Sequence, residues 1–297
     1  MGAEREVRIG LVLYGGVSLA IYINGVVQEF LHLVKATAEG AGNVNGAEAA
    51  GTRAVYRKLS RILAGEASEG DGAPVRFVID AIAGTSAGGI NGVFLAKALA
   101  LHGDLEGIKK LWVEEGDIAK LINDEGSLAD EMKRYELQSP PASLLNSQRM
   151  YVKLLQALGG MKAGEGKPLA KEIDLHITAT DLRGLVQPIQ LSDGQVFERR
   201  HKAEFHFRYS EIEEPGGRAL NQFTPEYDPF LAFAARCTSS FPLAFEPMQF
   251  ADIDDALRRE GIVQRDAAAS SASARWEALY PSYTREALLG TGVRAQL

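Results

Sequence analysis

The sequence predicts an α/β protein with a mostly parallel central sheet and helices on both faces. Two observations carry that reading. Short apolar runs alternate with segments of helical period along the chain, which is how strands joined by crossover helices look. The two strongest runs, residues 7–14 (VRIGLVLY) and 75–83 (VRFVIDAIA), are nearly continuously apolar, as strands buried on both faces are. Composition permits the fold. With 46% apolar and 24% charged residues over 297 positions, the disordered, collagen-like and polytopic membrane classes are excluded.

The elements follow in order. The first strand (7–14) leads through Gly15-Gly16 into a helix over 17–34. A Gly/Ala/Asn-rich loop (40–51) precedes a second helix (52–63), and a Gly-rich loop (66–74) precedes the second strand. Residues 88–101 repeat apolar side chains at Ile90, Val93, Phe94, Ala98 and Leu101, a helical spacing. Helix continues over 104–122 with a break near Gly116, and again over 144–158. Residues 173–180 (IDLHITAT) alternate as a strand, with shorter strands expected at 187–191 and 204–207. Asp228 followed by Pro229 reads as a helix start, because proline lacks only a donor that has no helical partner there. Residues 245–250 read as a strand and 266–275 as an Ala/Ser-rich linker.

Charge and cysteine content narrow the partners. A net charge of −7 leaves no basic surplus to neutralise phosphates, so nucleic acid is not an expected partner. Cys237, the single cysteine, permits neither an intramolecular disulfide nor a cysteine-based zinc site. No cofactor and no metal is expected, since the carboxylates show no ligand spacing. Residues 9–28 carry no charge, long enough to span a bilayer, but their glycines and strand-like first half read as strand, loop and helix. The N-terminus lacks the basic-then-apolar order of a secretory signal. The expected location is the cytoplasm, with peripheral contact to a membrane.

One motif carries chemistry. Gly84-Thr85-Ser86-Ala87-Gly88 is a G-x-S-x-G pentapeptide between a strand and a helix. That turn is sharp, its flanking glycines let backbones cross closely, and the helix N-terminus favours developing negative charge. A plain tight turn with a spare serine is the bland alternative, and the strand and helix on either side favour the nucleophile. Gly15, Gly16 and Val17 follow the first strand, where their backbone N–H groups would reach the same sheet edge as an oxyanion hole.

The chain resembles a known family at this point. The stretches LVLYGGVSLAIYINGV, GTSAGGINGVFLAKAL, TATDLRG, FERRHK and FLAFAARCTSSFPLAFEPM are similar to the patatin-like phospholipases, most closely the bacterial patatin-related proteins with a long C-terminal extension. The resemblance spans residues 7 to 283. It implies a three-layer α/β/α fold in one domain (1–297) that is incomplete at its C-terminus. It also implies a lipid acyl hydrolase, of phospholipase A or lysophospholipase type, acting on lipid at a membrane surface through a Ser–Asp dyad and an acyl-enzyme. Ser86 is then the nucleophile, Gly84, Thr85, Ala87 and Gly88 its elbow, and Gly15, Gly16 and Val17 the oxyanion hole.

Two departures stand out. Where patatins carry D-G-G-G-x-[RK]-G, this chain has Tyr14, Gly15, Gly16, Val17, Ser18, Leu19 and Ala20. The dyad aspartate normally lies in a D-G-[GA] tripeptide after TSSFP, and none follows Phe241. Asp71-Gly72-Ala73 precedes the serine, Asp193-Gly194-Gln195 has the wrong third residue, and Asp252, Asp254 and Asp255 lack glycine. A serine hydroxyl needs a base within reach, so one alternative is an inactive, truncated relative. Another is a Ser-Asp-His carboxylesterase drawing on Asp181 and His201 or His206, which fit the chain order; His176 and His206 also read as structural residues. The Arg199–Lys202 cluster reads as a phosphate contact or a solvated loop. Gly166-Lys167-Pro168 is not a P-loop, lacking the earlier glycine and the Ser/Thr.

Overall fold

A computed structural model describes residues 5–38, 51–65, 75–137, 139–214 and 218–260. The chain divides into two compact units. The first comprises Met1–Lys109, Gly160–His176 and His206–Thr224; the second comprises Lys110–Gly159, Ile177–Phe205 and Pro225–Leu297.

One five-stranded sheet has the strand order β1 (Arg5–Leu13), β2 (Val75–Gly84), β3 (Glu172–Gln190), β4 (Gln195–Glu214) and β5 (Arg218–Asn221). The first unit contributes β1, β2, β5 and parts of β3 and β4 to it. β1 and β2 run parallel, with Leu13 level with Gly84. β4 and β5 run antiparallel, so the sheet is mixed, with parallel pairing where the pentapeptide lies. This is an α/β fold, in keeping with the three-layer expectation. Three helices belong to the unit: α1 (Ala20–Thr37), α2 (Thr52–Leu63) and α3 (Ala87–Leu101). α3 is buried from Ala87 through Ala100, because its sequence is apolar all round and has no solvent face to offer. Gly92 brings it against the sheet, since a Cβ there would stand 3.2 Å from Ile82 Cγ2.

The second unit holds the remaining helices together with residues 177–205 of β3 and β4. After α4 (Glu106–Lys110) comes a π turn (Leu111–Glu115), then α5 (Ile118–Leu121), α6 (Ser147–Gly159), α7 (Asp228–Thr238) and α8 (Phe250–Arg259). α6 meets α7 through the Tyr151 hydroxyl, which donates to Pro229 O at 3.1 Å. Phe205 packs edge-on against Phe233 with ring centroids 6.0 Å apart, a favoured aromatic geometry. Arg149 is fully buried and donates to Glu115 at 2.6 Å.

Several expectations change. The apolar run of β1 is not covered on both faces: β1 ends the strand order, and Val12 is 66% exposed. An apolar run states what a strand can bury, while its neighbours decide what it does bury. The strands expected at 173–180 and 187–191 are one, β3, and 204–207 lies within the 20-residue β4. Arg199 to Lys202 therefore stand on a strand rather than a loop. The strand expected at 245–250 is absent; Phe250 opens α8. Proline occupies the first turn of α7 as expected, though Tyr227 is the cap and Asp228 already helical. The loops at 40–50 and 66–74 and the linker at 266–275 lie outside the described residues.

Candidate active site

β2 ends at Gly84 and α3 begins at Ala87, so Thr85 and Ser86 alone make the turn. Ser86 has φ 54° and ψ −128°, a conformation that costs a non-glycine residue about 1–3 kcal/mol and persists only where its surroundings enforce it. The enforcement is visible. The Thr85 N–H donates to Leu13 O at 3.1 Å, carrying the β1–β2 ladder one step past the strand ends. The Ile90 N–H donates to Ser86 O at 3.0 Å and starts α3. Gly88 packs so tightly that a Cβ would run into Leu13 O, and one on Gly84 would stand 2.7 Å from Gly88 O. Only glycine fits either position, which is why the pentapeptide has this spacing. Ser86 is half-buried and Thr85 exposed, at the positive end of α3.

The glycine turn after β1 meets this serine. A Cβ on Gly15 would collide with Ser86 Cβ and stand 3.1 Å from Ser86 Oγ, so the Gly15 backbone lies directly against the serine side chain. Gly16 adopts φ 147°, ψ 126°, and its carbonyl accepts the Leu19 N–H at 3.0 Å, opening a 3-10 turn over Val17–Leu19. Gly15, Gly16, Val17 and Ser86 thus belong to one corner of the sheet edge.

Two buried asparagines, which the sequence expectations omit, brace this corner. Asn91 Nδ2 donates to Ala87 O at 2.9 Å and to Ala20 O at 3.2 Å. Asn24 Nδ2 donates to Asn91 Oδ1 at 3.4 Å, and Gln28 Nε2 to Asn24 Oδ1 at 3.0 Å. The first turns of α1 and α3 are thereby tied together. A signal was present: both helices carry the tetrapeptide I-N-G-V, at 23–26 and 90–93.

The histidine candidates are engaged otherwise. His201 Nδ1 lies 2.8 Å from the backbone carbonyl of Asp181, while the Asp181 carboxylate accepts the Arg183 and Gly184 N–H groups. A catalytic triad needs the imidazole on the carboxylate, so this pair is not half of one. His206 Nε2 lies 2.6 Å from Asp174 Oδ1, which Arg208 Nε also reaches at 3.2 Å. Leu175 packs toward Gly92 of α3, so its strand neighbours Asp174 and His176 face the other side of the sheet. Asp174, His176 and His206 offer donor atoms within 4.8 Å of one another. However, the two rings are stacked at 4.2 Å and 12°, so their in-plane lone pairs run side by side instead of converging on one ion.

The aspartates after TSSFP, Asp252, Asp254 and Asp255, belong to α8. Asp252 Oδ2 accepts the Gln249 N–H at 2.6 Å in a capping box, and Asp255 pairs with Arg258 and Arg259. The TSSFP turn itself hangs on Arg236, fully buried, which donates to Ser147 Oγ at 2.6 Å and Ser240 Oγ at 3.1 Å and stacks 4.1 Å above the Phe245 ring. Burial pushes the Arg236 pKa down to about 10. Burial also pushes the Cys237 thiol well up, so it offers no thiolate nucleophile at neutral pH.

The family model described as "Patatin-like phospholipase" matches residues 11–256. The chain is similar to the "Uncharacterized membrane protein Rv3479" of Mycobacterium tuberculosis, with 28% identity over 263 residues, 82% of this chain and 21% of that protein. The chain thus spans about a fifth of the relative's length. No solved structure matches it significantly. Among the described residues, no helix is long and apolar enough to cross a membrane.

Proposed function

The chain belongs to the patatin-like phospholipase family, and from that premise we propose that it is a lipid acyl hydrolase with Ser86 as nucleophile. The observation that carries the reading is the contact between the Gly15 backbone and the Ser86 side chain at a strained strand-to-helix turn. Ser86 Oγ attacks the ester carbonyl carbon and its proton passes to a base. The carbonyl oxygen gains negative charge beside the N–H groups of Gly15, Gly16 and Val17 and the N-terminus of α3. One such donor contributes roughly 3 kcal/mol to the transition state. Collapse returns that proton from the base to the leaving oxygen, expels the lysolipid or alcohol and leaves an acyl-Ser86 ester, which water hydrolyses to the fatty acid, restoring the Ser86 hydroxyl. Gly84, Thr85, Ala87 and Gly88 form the elbow that presents the hydroxyl. The family match runs across both compact units, which supports one catalytic domain over the matched residues.

The exposed face of the turn after β1 and of α1 suits a lipid. Tyr14, adjoining Gly15, is 78% exposed, and Leu19, Ile21 and Tyr22 stand exposed on the turn and helix that follow. An apolar groove of about 430 Å³ runs along α1 between Tyr22, Phe30 and Tyr56. Exposed apolar and tyrosine side chains on that face fit contact with a lipid surface. The basic residue of the family's glycine turn is replaced here by Leu19, so the substrate's phosphate gains no charge-assisted contact from that position. The testing experiment compares release of fatty acid from phospholipid and lysophospholipid vesicles by the wild type and by Ser86→Ala. Release by the wild type at least a thousandfold above the variant is expected; equal release by the two proteins refutes the assignment.

A further inference from the structure

We propose that the distal half of the β3–β4 ribbon docks the protein on an anionic lipid surface. This part of the ribbon lies within the second unit, and its turn is closed by the Leu191 N–H, which donates to Gly194 O at 2.8 Å. Every residue from Leu191 to Arg200 is exposed, so among the described residues neither face of β4 is covered there. A two-stranded ribbon bare on both faces is marginal in water, and exposed apolar side chains grouped on one element mark a contact surface. The proposal concerns where the protein meets a membrane, and it stands whether or not Ser86 is the nucleophile.

The order of side chains along the ribbon is the first argument. Leu191, Val196 and Phe197, next to the turn, are 45%, 46% and 69% exposed. Arg183, Arg199, Arg200 and Lys202 follow farther from the turn. Phe197 lies two residues, about 7 Å, beyond Arg199 along the strand. That offset is comparable with the roughly 5–10 Å to which interfacial apolar side chains enter a leaflet. With the apolar tip at the acyl boundary, the basic collar stands at headgroup level, where each cation strengthens binding to anionic lipid. Arg200 pairs with Glu198 at 2.7 Å and Lys202 with Glu204 at 2.9 Å. Arg183 and Arg199 are exposed and have no carboxylate partner among the described residues; Arg199 Nη1 donates instead to Arg183 O at 2.8 Å. These two guanidiniums are the ones offered to lipid phosphates. Asp193, in the turn itself, opposes anionic lipid and serves below as a control.

Construction is the second argument. The base of the ribbon is pinned by Asp181, a buried residue whose carboxylate accepts the Arg183 N–H at 2.9 Å and the Gly184 N–H at 3.0 Å. Gly184 has φ 67°, and a Cβ there would stand 2.9 Å from Arg199 Cγ. Gly184 and Arg199 therefore share a face, and strand alternation puts Val186 and Phe197, both exposed, on that same face. The tip is fastened by Gln190 Nε2, which donates to Gly194 O at 3.2 Å. The strand edges exclude a simpler partner, another strand. Pro188 lacks a donor on β3, and Glu198, Arg200 and Lys202 put charge along β4, devices that discourage strand addition. What the ribbon offers is its tip and faces.

Co-sedimentation with vesicles tests the proposal. The chain should bind vesicles of phosphatidylcholine and phosphatidylglycerol in equal parts at least about tenfold more tightly than phosphatidylcholine alone, and less tightly as salt is raised. Phe197→Ser should keep the circular dichroism of the wild type and bind the mixed vesicles at least about tenfold more weakly. Arg183→Gln/Arg199→Gln should lose at least about fivefold, together with most of the salt dependence. Asp193→Asn should bind about threefold more tightly, a gain that damage to the fold would not produce. If Phe197→Ser loses its fold, Leu191→Ser carries the comparison, with at least about a threefold loss. Ser86→Ala should bind as the wild type does, so docking and ester hydrolysis are read separately. No binding to mixed vesicles, or equal binding by wild type and the Phe197 variant, overturns the proposal. So does self-association in sedimentation velocity that Phe197→Ser abolishes while no vesicle binding is seen, which would make the ribbon a contact between two copies of this chain.

Discussion

Two glycines of the same turn-and-helix segment, Gly15 and Gly25, face opposite constraints. Gly15 has the Ser86 side chain and, 3.0 Å from a would-be Cβ, the carbonyl of Thr85. Gly25, exposed inside α1, has nothing within 4 Å. Gly15→Ala must therefore displace Ser86, and ester hydrolysis should fall at least a hundredfold. Gly25→Ala meets no obstacle and removes backbone freedom from the unfolded chain, so a thermal melt should show a gain of about 0.5–1 kcal/mol. Asn91 lies between these cases. Asn91→Ala deletes the donors to Ala20 and Ala87 in a buried place, costing about 1–3 kcal/mol in urea unfolding. Because it loosens the tie between α1 and α3, kcat should fall more than KM rises; an unchanged kcat would show the pair to be merely structural.

Elements of this chain were legible in proportion to how local their signals are. The helix expected at 52–63 is α2 to the residue, and the strand-turn-helix around Ser86 was plain because glycine, strand and helix signals coincide within 20 positions. The break at Gly116 appears as a π turn that ends on the Gly116 N–H. The long β3–β4 ribbon was legible only in pieces, at 173–180, 187–191 and 204–207, since charged residues such as Arg199 and Arg200 break the alternation and pairing is settled across strands. α8 was missed although Gln249 and Asp252 form its capping box, because the Phe245–Phe250 stretch imitates a strand. In the second unit, Glu115 holds the π turn to α6 through Arg149, with Lys153 3.6 Å and Lys120 3.5 Å away. Burial raises the Glu115 pKa, but the Arg149 hydrogen bond and the neighbouring cations outweigh it, leaving the carboxyl below its usual 4.5. A depressed folded pKa stabilises above the unfolded value and is lost as pH falls through the folded one. Glu115→Gln should thus cost about 2 kcal/mol at pH 7, and the gap should narrow below about pH 4.5 and close in stronger acid. A gap independent of pH in urea titrations would sink this account.

At the scale of the molecule, the serine corner lies within one unit: Leu13, Gly15, Asn24, Ser86 and Asn91 all belong to it. The residues after TSSFP belong to the other, where Asp252 and Asp255 have structural partners in α8. The serine turn and the glycine turn after β1 were readable from sequence because each is a short motif with a backbone reason for its glycines. The base was not legible, because the D-G-[GA] tripeptide expected after TSSFP is missing and a lone side chain placed by tertiary structure has no spacing of its own. The central claim is that Ser86 is an activated nucleophile, and covalent labelling tests it most directly. The native protein is incubated with a fluorophosphonate probe at neutral pH and the modified peptide is mapped by mass spectrometry. Near-stoichiometric, time-dependent phosphonylation of Ser86, absent after heat denaturation and in Ser86→Ala, is the predicted result. A folded protein whose Ser86 stays unmodified, or is modified no faster than its other serines, would contradict the claim.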